Sequence, residues 1–363
     1  MRVLHIDFEK TWRGGENQVF NLITGLRESG VENAVCTYPN SALAKKASDS
    51  GFKIIPIKSV NEWDIFSSYR LSRILSKEKY DVIHFHTAHS HAIGLMALKM
   101  VTRKPRVILS RRVDFAVGKN FFSRIKYSQT VDKIIAISEG VKKVLIKSGL
   151  NGDNITIVYS GVDIRSIKAA EITNDIREKF SISADRFILG NVAALAPHKD
   201  HRTLIKSIKI VKESHPEIVL LIFGEGSEEA DLKHLTKSLN LEEYIIFAGF
   251  HKDIISYMKQ FGIFVLSSNL EGLCTSLIDA SACGLPIVAT KTGGIPEAVL
   301  DNKTGFLAAP EDPDDLAMKL IRLIEDENIR NEFSKNGLEH SENFDFKNTV
   351  KGTLDVYEEV LKK

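Results

Sequence analysis

Short, continuously apolar runs, each followed by an amphipathic stretch, recur along the whole chain, and this alternation restricts the fold more than any other feature. A strand covered by helices on both faces needs apolar side chains at nearly every position, whereas a strand with one wet face alternates. Runs of the first kind occur at Val3–Asp7, Ala34–Tyr38, Lys53–Ile57, Val82–Phe85, Val107–Ser110, Lys133–Ile137 and Thr156–Tyr159. They recur at Phe187–Val192, Ile218–Phe223, Tyr244–Phe247, Gly262–Leu266, Pro286–Ala289 and Gly305–Ala308. Helical spacing fits residues near 15–29, 65–79, 89–101 and 139–147, then 202–214, 228–239, 275–283, 313–325, 328–342 and 346–361. Strands alternating with helices predict an α/β chain built on parallel sheets.

The alternation runs through two series, and a length of 363 residues fits two domains. Residues 163–185 are polar and broken by Asn174 and Ser181, which places the boundary there. The expected plan is an amino-terminal Rossmann-like domain over 1–165 and a carboxyl-terminal one over 166–345. A terminal helix over 346–363 packs back on the first. Doubly wound sheets bind ligands outside the carboxyl ends of their strands, so the active-site cleft is expected between the two domains.

Charge is uneven although the net charge is only +2. Residues 1–163 hold 25 Lys and Arg against 15 Asp and Glu; the remainder holds 24 against 32. The excess is densest from Lys99 to Lys133, where Arg103, Lys104, Arg106, Arg111, Arg112, Lys119, Arg124 and Lys126 face Asp114 and Asp132. This is either a solvated face or a surface for anionic lipid or a phosphorylated acceptor. The three cysteines have no metal-binding spacing and read as reduced thiols. No apolar run approaches ~18 residues, and Arg2 follows the first Met without a signal-peptide core. The expectation is a cytoplasmic protein, peripheral on the inner membrane face at most. Nucleic-acid recognition signatures are absent.

The segment from Ser267 to Pro296 carries the most chemistry. A strand ends near Leu266, a loop carries Glu271-Gly272, and a helix begins near Thr275. Gly284 closes that helix and Pro286 opens the next strand. Gly272 permits a tight turn. The amides of Leu273, Cys274 and Thr275 lie at a helix start, where the dipole favours anions by roughly 0.3–1 kcal/mol per charge. Glu271 and Asp279 flank this anion site, and carboxylates accept hydrogen bonds from hydroxyls. Phosphate between two sets of hydroxyls describes a nucleotide-sugar.

At this point the sequence resembles the retaining glycosyltransferases of family 4, whose hallmark is E-G-x-x-x-x-x-x-E followed by A-C-G-L-P and G-G-I-P-E segments. Here these read Glu271-Gly272 to Asp279, Ala282-Cys283-Gly284-Leu285-Pro286 and Gly293-Gly294-Ile295-Pro296-Glu297. The resemblance implies the GT-B fold, with Glu271 on donor-sugar hydroxyls and Asp279 on the ribose. Asp279 departs from the usual Glu and is one methylene shorter. The family's V-G-R-L-x-P-x-K-G loop supplies an Arg and a Lys to the diphosphate. Lys199 matches the lysine, while Ala194 stands at the arginine position. Arg202, His198 or an arginine of the facing domain is expected to substitute.

Gly224 and Gly226 are expected to let the chain pass close to the nucleotide. Phe247-Ala248-Gly249-Phe250-His251 resembles the family's base-reading segment and makes His251 a donor contact. In the amino-terminal half, Gly14 and Gly15 resemble the family's G-G-x-E segment and would border the acceptor. Asp81-Val82-Ile83-His84-Phe85-His86 resembles D-V-I-H-x-H. His84 is expected to be structural, and His86 to face the cleft and bond a hydroxyl. Arg111 or Arg112 is expected to meet an anionic acceptor.

The resemblance implies transfer of a sugar from a nucleotide-sugar to an acceptor, with retention at the anomeric carbon, and extends over nearly the whole chain. Neither a metal nor a cofactor is expected, since no Asp-x-Asp motif in a fitting context appears. Partners are the donor and a sugar, glycolipid or polysaccharide acceptor of the cell envelope. Two rivals remain: a GT-B nucleotide-sugar 2-epimerase and a non-catalytic nucleotide-sugar-binding subunit.

Overall fold

The computed structural model describes residues 1–12, 14–112, 127 and 130–362. Asp114, Lys119, Arg124 and Lys126 of the basic stretch lie outside the described residues. The chain forms two compact α/β units. One holds Met1–Gly161 with Phe346–Lys363, and the other Val162–Asp345.

The first unit has a seven-stranded parallel sheet. Its strands are β1 (Arg2–Asp7), β2 (Glu32–Thr37), β3 (Lys53–Pro56), β4 (Val82–Phe85), β5 (Arg106–Arg111), β6 (Lys133–Ala136) and β7 (Ile155–Ile157). They lie in the order β3-β2-β1-β4-β5-β6-β7. The second unit has β8 (Phe187–Val192), β9 (Ile218–Phe223), β10 (Ile245–Gly249), β11 (Ile263–Leu266), β12 (Ile287–Thr290) and β13 (Gly305–Ala308), in the order β10-β9-β8-β11-β12-β13. Every described pairing between these strands is parallel. The strand order reverses once in each sheet, between β1 and β4 and between β8 and β11. At such a reversal the connections leave in opposite directions and open a crevice at the carboxyl ends.

The helix Phe346–Leu361 completes the first unit rather than the second. Val350, Val356, Tyr357 and Val360 join Val3, Leu22, Val82 and Ile108 in one buried cluster. The polar stretch read as a boundary folds into two short helices, Ile164–Ala169 and Ile176–Phe180, capped by Asp163 and Asp175. The helix Ala42–Asp49 does not show in the sequence periodicity. Its apolar face is only Leu43, Ala44 and Ala47, and the Ser41 hydroxyl caps it by accepting from the Ala44 amide at 3.1 Å.

Candidate active site

In the second unit the loops after β8 and β11 meet. The Ser267 hydroxyl donates to the carbonyls of Lys199 at 3.0 Å and Asp200 at 2.9 Å, and the Asn269 amide donates to the His198 carbonyl at 3.0 Å. These bonds hold Lys199 against Glu271, and the two side chains form a largely buried ion pair. Ser268 Oγ donates to the same Glu271 oxygen at 2.9 Å, and the Gly294 amide donates to the Glu271 carbonyl at 3.1 Å. Two segments 72 residues apart thus place a cation and a carboxylate at the reversal of the sheet.

Burial works against the Lys199 ammonium, but Cys274 and Glu271 outweigh it and hold its pKa above the usual lysine value. At neutral pH only Glu271 supplies that attraction, because burial pushes the Cys274 thiol up to about 11. Lys199 is the cation of the pair.

The helix Thr275–Ala282 begins beside this pair. Cys274 precedes it in a left-handed conformation (φ +63°) and offers no side-chain cap. Among the described residues, the amides of Leu273, Cys274, Thr275 and Ser276 have no acceptor. The far end closes as the sequence predicts. Gly284 takes φ +76°, its amide donates to the Ser281 carbonyl at 2.9 Å, and the Leu285 amide donates to the Ala280 carbonyl at 3.0 Å. Asp279 sits on this helix with no counter-ion among the described residues, and burial pushes its carboxyl up to about 7. Such a group is poised to accept from, or donate to, a hydroxyl.

Gly224 and Gly226 have a structural reason of their own. A Cβ on Gly224 would lie 2.0 Å from the Ala193 carbonyl oxygen, and one on Gly226 would lie 2.2 Å from that of Leu195. The two glycines let the loop after β9 cross the Lys199 loop, where the Leu195 amide donates to the Glu225 carbonyl at 3.0 Å. Close approach to the protein's own backbone thus accounts for them. His251 Nε2 donates to the Ala248 carbonyl at 3.1 Å, and the ring packs edge-on against Phe223 and Tyr257. Arg202, one candidate for the cation missing at Ala194, instead faces Glu228 at 3.8 Å and Asp231 at 3.5 Å.

In the first unit, three histidines stack at the carboxyl ends of β1 and β4. His84 is fully buried, with Nδ1 at 2.6 Å from the Tyr357 hydroxyl and Nε2 at 2.7 Å from Ser110 Oγ. His86 departs from the expectation of an open, hydroxyl-binding ring. It is buried, its ring centroid is 4.1 Å from that of His84, and its Nε2 lies 3.0 Å from His5 Nδ1. The strand ends one residue earlier, at Phe85, and the helix Ala88–Leu98 follows at once. Its capping box, with the Ser90 amide donating to Thr87 Oγ1 at 3.1 Å, starts that helix directly after the ring.

The proton positions follow from the partners. Asn33 Nδ2 donates to the carbonyls of Ile23 and Val31, so its Oδ1 accepts from His5 Nε2 at 3.1 Å. His5 Nδ1 then accepts from His86 Nε2, leaving His86 Nδ1 to accept from Arg112 at 3.5 Å. Burial holds all three imidazoles neutral, His5 at about 4 and the other two well below the usual value. Although the three rings could bring ligand atoms within 4.8 Å of one another, each described ring nitrogen already has a partner.

Arg112 also donates to Ser160 Oγ at 3.3 Å, while its buried Nε has no partner among the described residues. Burial brings its pKa down to about 10, against the pull of Asp7 and Glu16. Asp7, at the end of β1, is 1% exposed and is pushed up to about 7 by burial. Sequence reasoning passed over Asp7, though a carboxylate at the carboxyl end of a buried strand is the signal. Gly14 and Gly15 open the helix Gly14–Glu28, with open space where each Cβ would stand. Arg111 closes β5 beside Arg112.

Two parallel α/β units with a cation, a carboxylate and free amides at one sheet reversal define a glycosyltransferase of the GT-B fold. Residues 12–166 match Glycosyltransferase Family 4, and residues 172–340 match Glycosyl transferases group 1. The chain belongs to the family 4 glycosyltransferases. It is 28% identical over 336 residues to an uncharacterised glycosyltransferase of Methanocaldococcus jannaschii, covering 85% of this chain and 83% of that one. It is 25% identical over 309 residues to the N-acetyl-alpha-D-glucosaminyl L-malate synthase of Bacillus anthracis (83% and 80% covered). It is 26% identical over 285 residues to the UDP-Gal:alpha-D-GlcNAc-diphosphoundecaprenol alpha-1,3-galactosyltransferase of Escherichia coli (75% and 73%). The fold is shared with Anabaena HepE, solved with UDP and glucose, at a TM-score of 0.87 and 19% identity over 99% of this chain and 100% of that one. No helix among the described residues is long and apolar enough to cross a membrane.

Proposed function

We propose that this glycosyltransferase takes a hexose from a UDP-sugar and passes it, with retention and without a metal, to a sugar acceptor of the cell envelope. The Lys199–Glu271 pair beside the unbonded amides of Leu273–Ser276 carries the reading. The UDP-galactose donor and lipid-diphosphate acceptor in the name of the Escherichia coli relative support the substrate class.

Each residue has a distinct task. When donor arrives, its diphosphate takes Lys199 and the free amides, and Glu271, released from the lysine, accepts hydrogen bonds from sugar hydroxyls. Asp279 engages the ribose, with Gly224, Gly226, Gly272 and His251 shaping the nucleotide's surroundings. The bond between the anomeric carbon and the diphosphate oxygen breaks, and the acceptor hydroxyl bonds that carbon on the same face. Its proton passes to the departing phosphate oxygen. Lys199 and the amides stabilise the charge developing on that phosphate, a role whose removal costs about 10²–10³ in rate. His86, acting with Arg112, orders the acceptor side near Gly14, Gly15 and Arg111. No cofactor takes part.

The test is a panel of UDP-sugars with and without a chelator, followed by NMR of the product's anomeric coupling. Turnover should survive chelation and the anomeric configuration should match the donor's. An inverted product, or a chelator-dead enzyme restored by a divalent ion, would overturn the mechanism; no turnover with any UDP-sugar would overturn the donor.

A further inference from the structure

One helix of the first unit buries three serines and leaves the apolar side chains of its first turns exposed. The helix Ile65–Lys77 buries Ser67, Ser68, Leu71, Ser72 and Leu75, so three of its inward positions are serines. Its outward positions and the turn before it carry Val60 (74% exposed), Trp63 (81%), Ile65 (65%), Phe66 (85%) and Tyr69 (53%). Small serines suit close packing on the neighbouring helix Ala88–Leu98, and their hydroxyls are satisfied locally. Ser68 Oγ donates to the Asp64 carbonyl at 3.0 Å and Ser72 Oγ to that of Tyr69 at 2.7 Å. Nothing in the fold of this unit requires aromatic side chains on the other side. Single exposed apolar residues are ordinary, but five within ten positions form a patch that monomeric proteins rarely leave to water.

The residues around the patch indicate its occupant. Lys58 precedes it, and Arg70, Arg73 and Lys77 continue the same helix, all exposed. Of the two acids within the segment, Asp64 is spent on the local turn, accepting from the amides of Val60 at 3.1 Å and Ser67 at 3.0 Å. Trp and Tyr with flanking Arg and Lys suit the boundary between lipid headgroups and acyl chains, where a ring is half apolar and half wet. An amphipathic helix with basic side chains beside its apolar face lies in that plane and is drawn to anionic lipid. The basic excess of residues 1–163 adds the same attraction.

We propose that Trp63, Phe66, Ile65 and Tyr69 insert into the interface of an anionic lipid bilayer, with Arg70, Arg73 and Lys77 on the headgroups. This deepens the proposed function, since it brings the enzyme to a lipid-borne acceptor, but it rests on residues remote in sequence from Lys199 and Glu271.

Trp12 and Trp63 are the only tryptophans, so a Trp12→Phe variant makes Trp63 the sole indole reporter. Mixed with vesicles of phosphatidylcholine and phosphatidylglycerol, its emission should shift to the blue and be quenched by brominated acyl chains. Vesicles of phosphatidylcholine alone should give weaker binding. The Trp63→Ser/Phe66→Ser double variant should partition at least about tenfold less, as expected for losing buried aromatic surface. Arg70→Glu/Arg73→Glu should lose the salt-sensitive part of the binding. Unchanged melting temperatures would show that the variants fold, because the altered side chains are exposed. The proposal is overturned by absence of vesicle binding, by wild-type binding in the Trp63→Ser/Phe66→Ser variant, or by a blue shift without vesicles that grows with protein concentration and marks self-association. UDP binding, followed by calorimetry in the same variants, should be unchanged. Its absence from the wild type would sink the donor reading and leave the lipid surface standing.

Discussion

Lys199 and Glu271 neutralise each other at the point where the second sheet reverses its strand order, so the charge that would hold a diphosphate is stored in an ion pair. Each partner keeps the other in place. On the proposed reading, a donor that takes Lys199 leaves Glu271 to the sugar hydroxyls.

Lys199→Ala should lower turnover about 10²–10³-fold. It should also cost about 3 kcal/mol of stability, since it strands a buried carboxylate. The double variant Lys199→Ala/Glu271→Gln should recover much of the stability and none of the activity. Thermal melts beside a transfer assay separate the two effects; equal stability of the single and double variants would contradict the pairing.

Asp279 gives a pH dependence with a defined sign. Its folded pKa is raised to about 7 from an ordinary value of 3.8 by burial. The stability it contributes is therefore complete below about pH 4 and lost as pH rises through about 7. Asp279→Asn should flatten that segment of the stability curve. If the ionised carboxylate grips the ribose, UDP affinity should rise through the same window in the wild type and stay level in the variant. Titration calorimetry at several pH values would show this, and identical profiles would refute it.

Gly224 and Gly14 make a contrasting pair. Gly224→Ala drives a Cβ into the Ala193 carbonyl at a backbone φ of +142° and should destabilise the second unit by at least about 2 kcal/mol. Gly14→Ala meets nothing within 4 Å and should leave the melt unchanged. Loss of transfer in Gly14→Ala alone would report a ligand close to that backbone.

Tyr357→Phe removes the hydroxyl that satisfies His84 Nδ1 at 2.6 Å inside the first unit. A buried nitrogen without a partner costs about 1–3 kcal/mol, readable as a lower denaturation midpoint with an unchanged slope.

The sheets were legible because strands buried on both faces leave a continuous apolar trace, as β9 and β11 do at every position, while the edge strand β3 is partly exposed. Helix ends were legible where chemistry marks them, as at Gly284. Lys199 and Glu271 could be picked from separate segments because each follows a strand. Depth was not legible. Alternation places His84 and His86 on one face of β4, but it cannot show that His86 is buried against His84 and bonded to His5. Nor can periodicity show which apolar side chains stay in water: the spacing near 65–79 reads as an ordinary amphipathic helix, and only the structure shows Ser67, Ser68 and Ser72 inside with Ile65, Phe66 and Tyr69 outside.

The helix Phe346–Leu361 lies last in the chain yet completes the core begun by β1. On the ribosome, residues 1–161 emerge with that seam uncovered, and the entire second unit must be synthesised before Tyr357 can reach His84. A fragment cut after Gly161 would keep the bare seam and should aggregate. A circular permutant beginning at Phe346 would present the missing helix first and let the amino-terminal unit mature during translation.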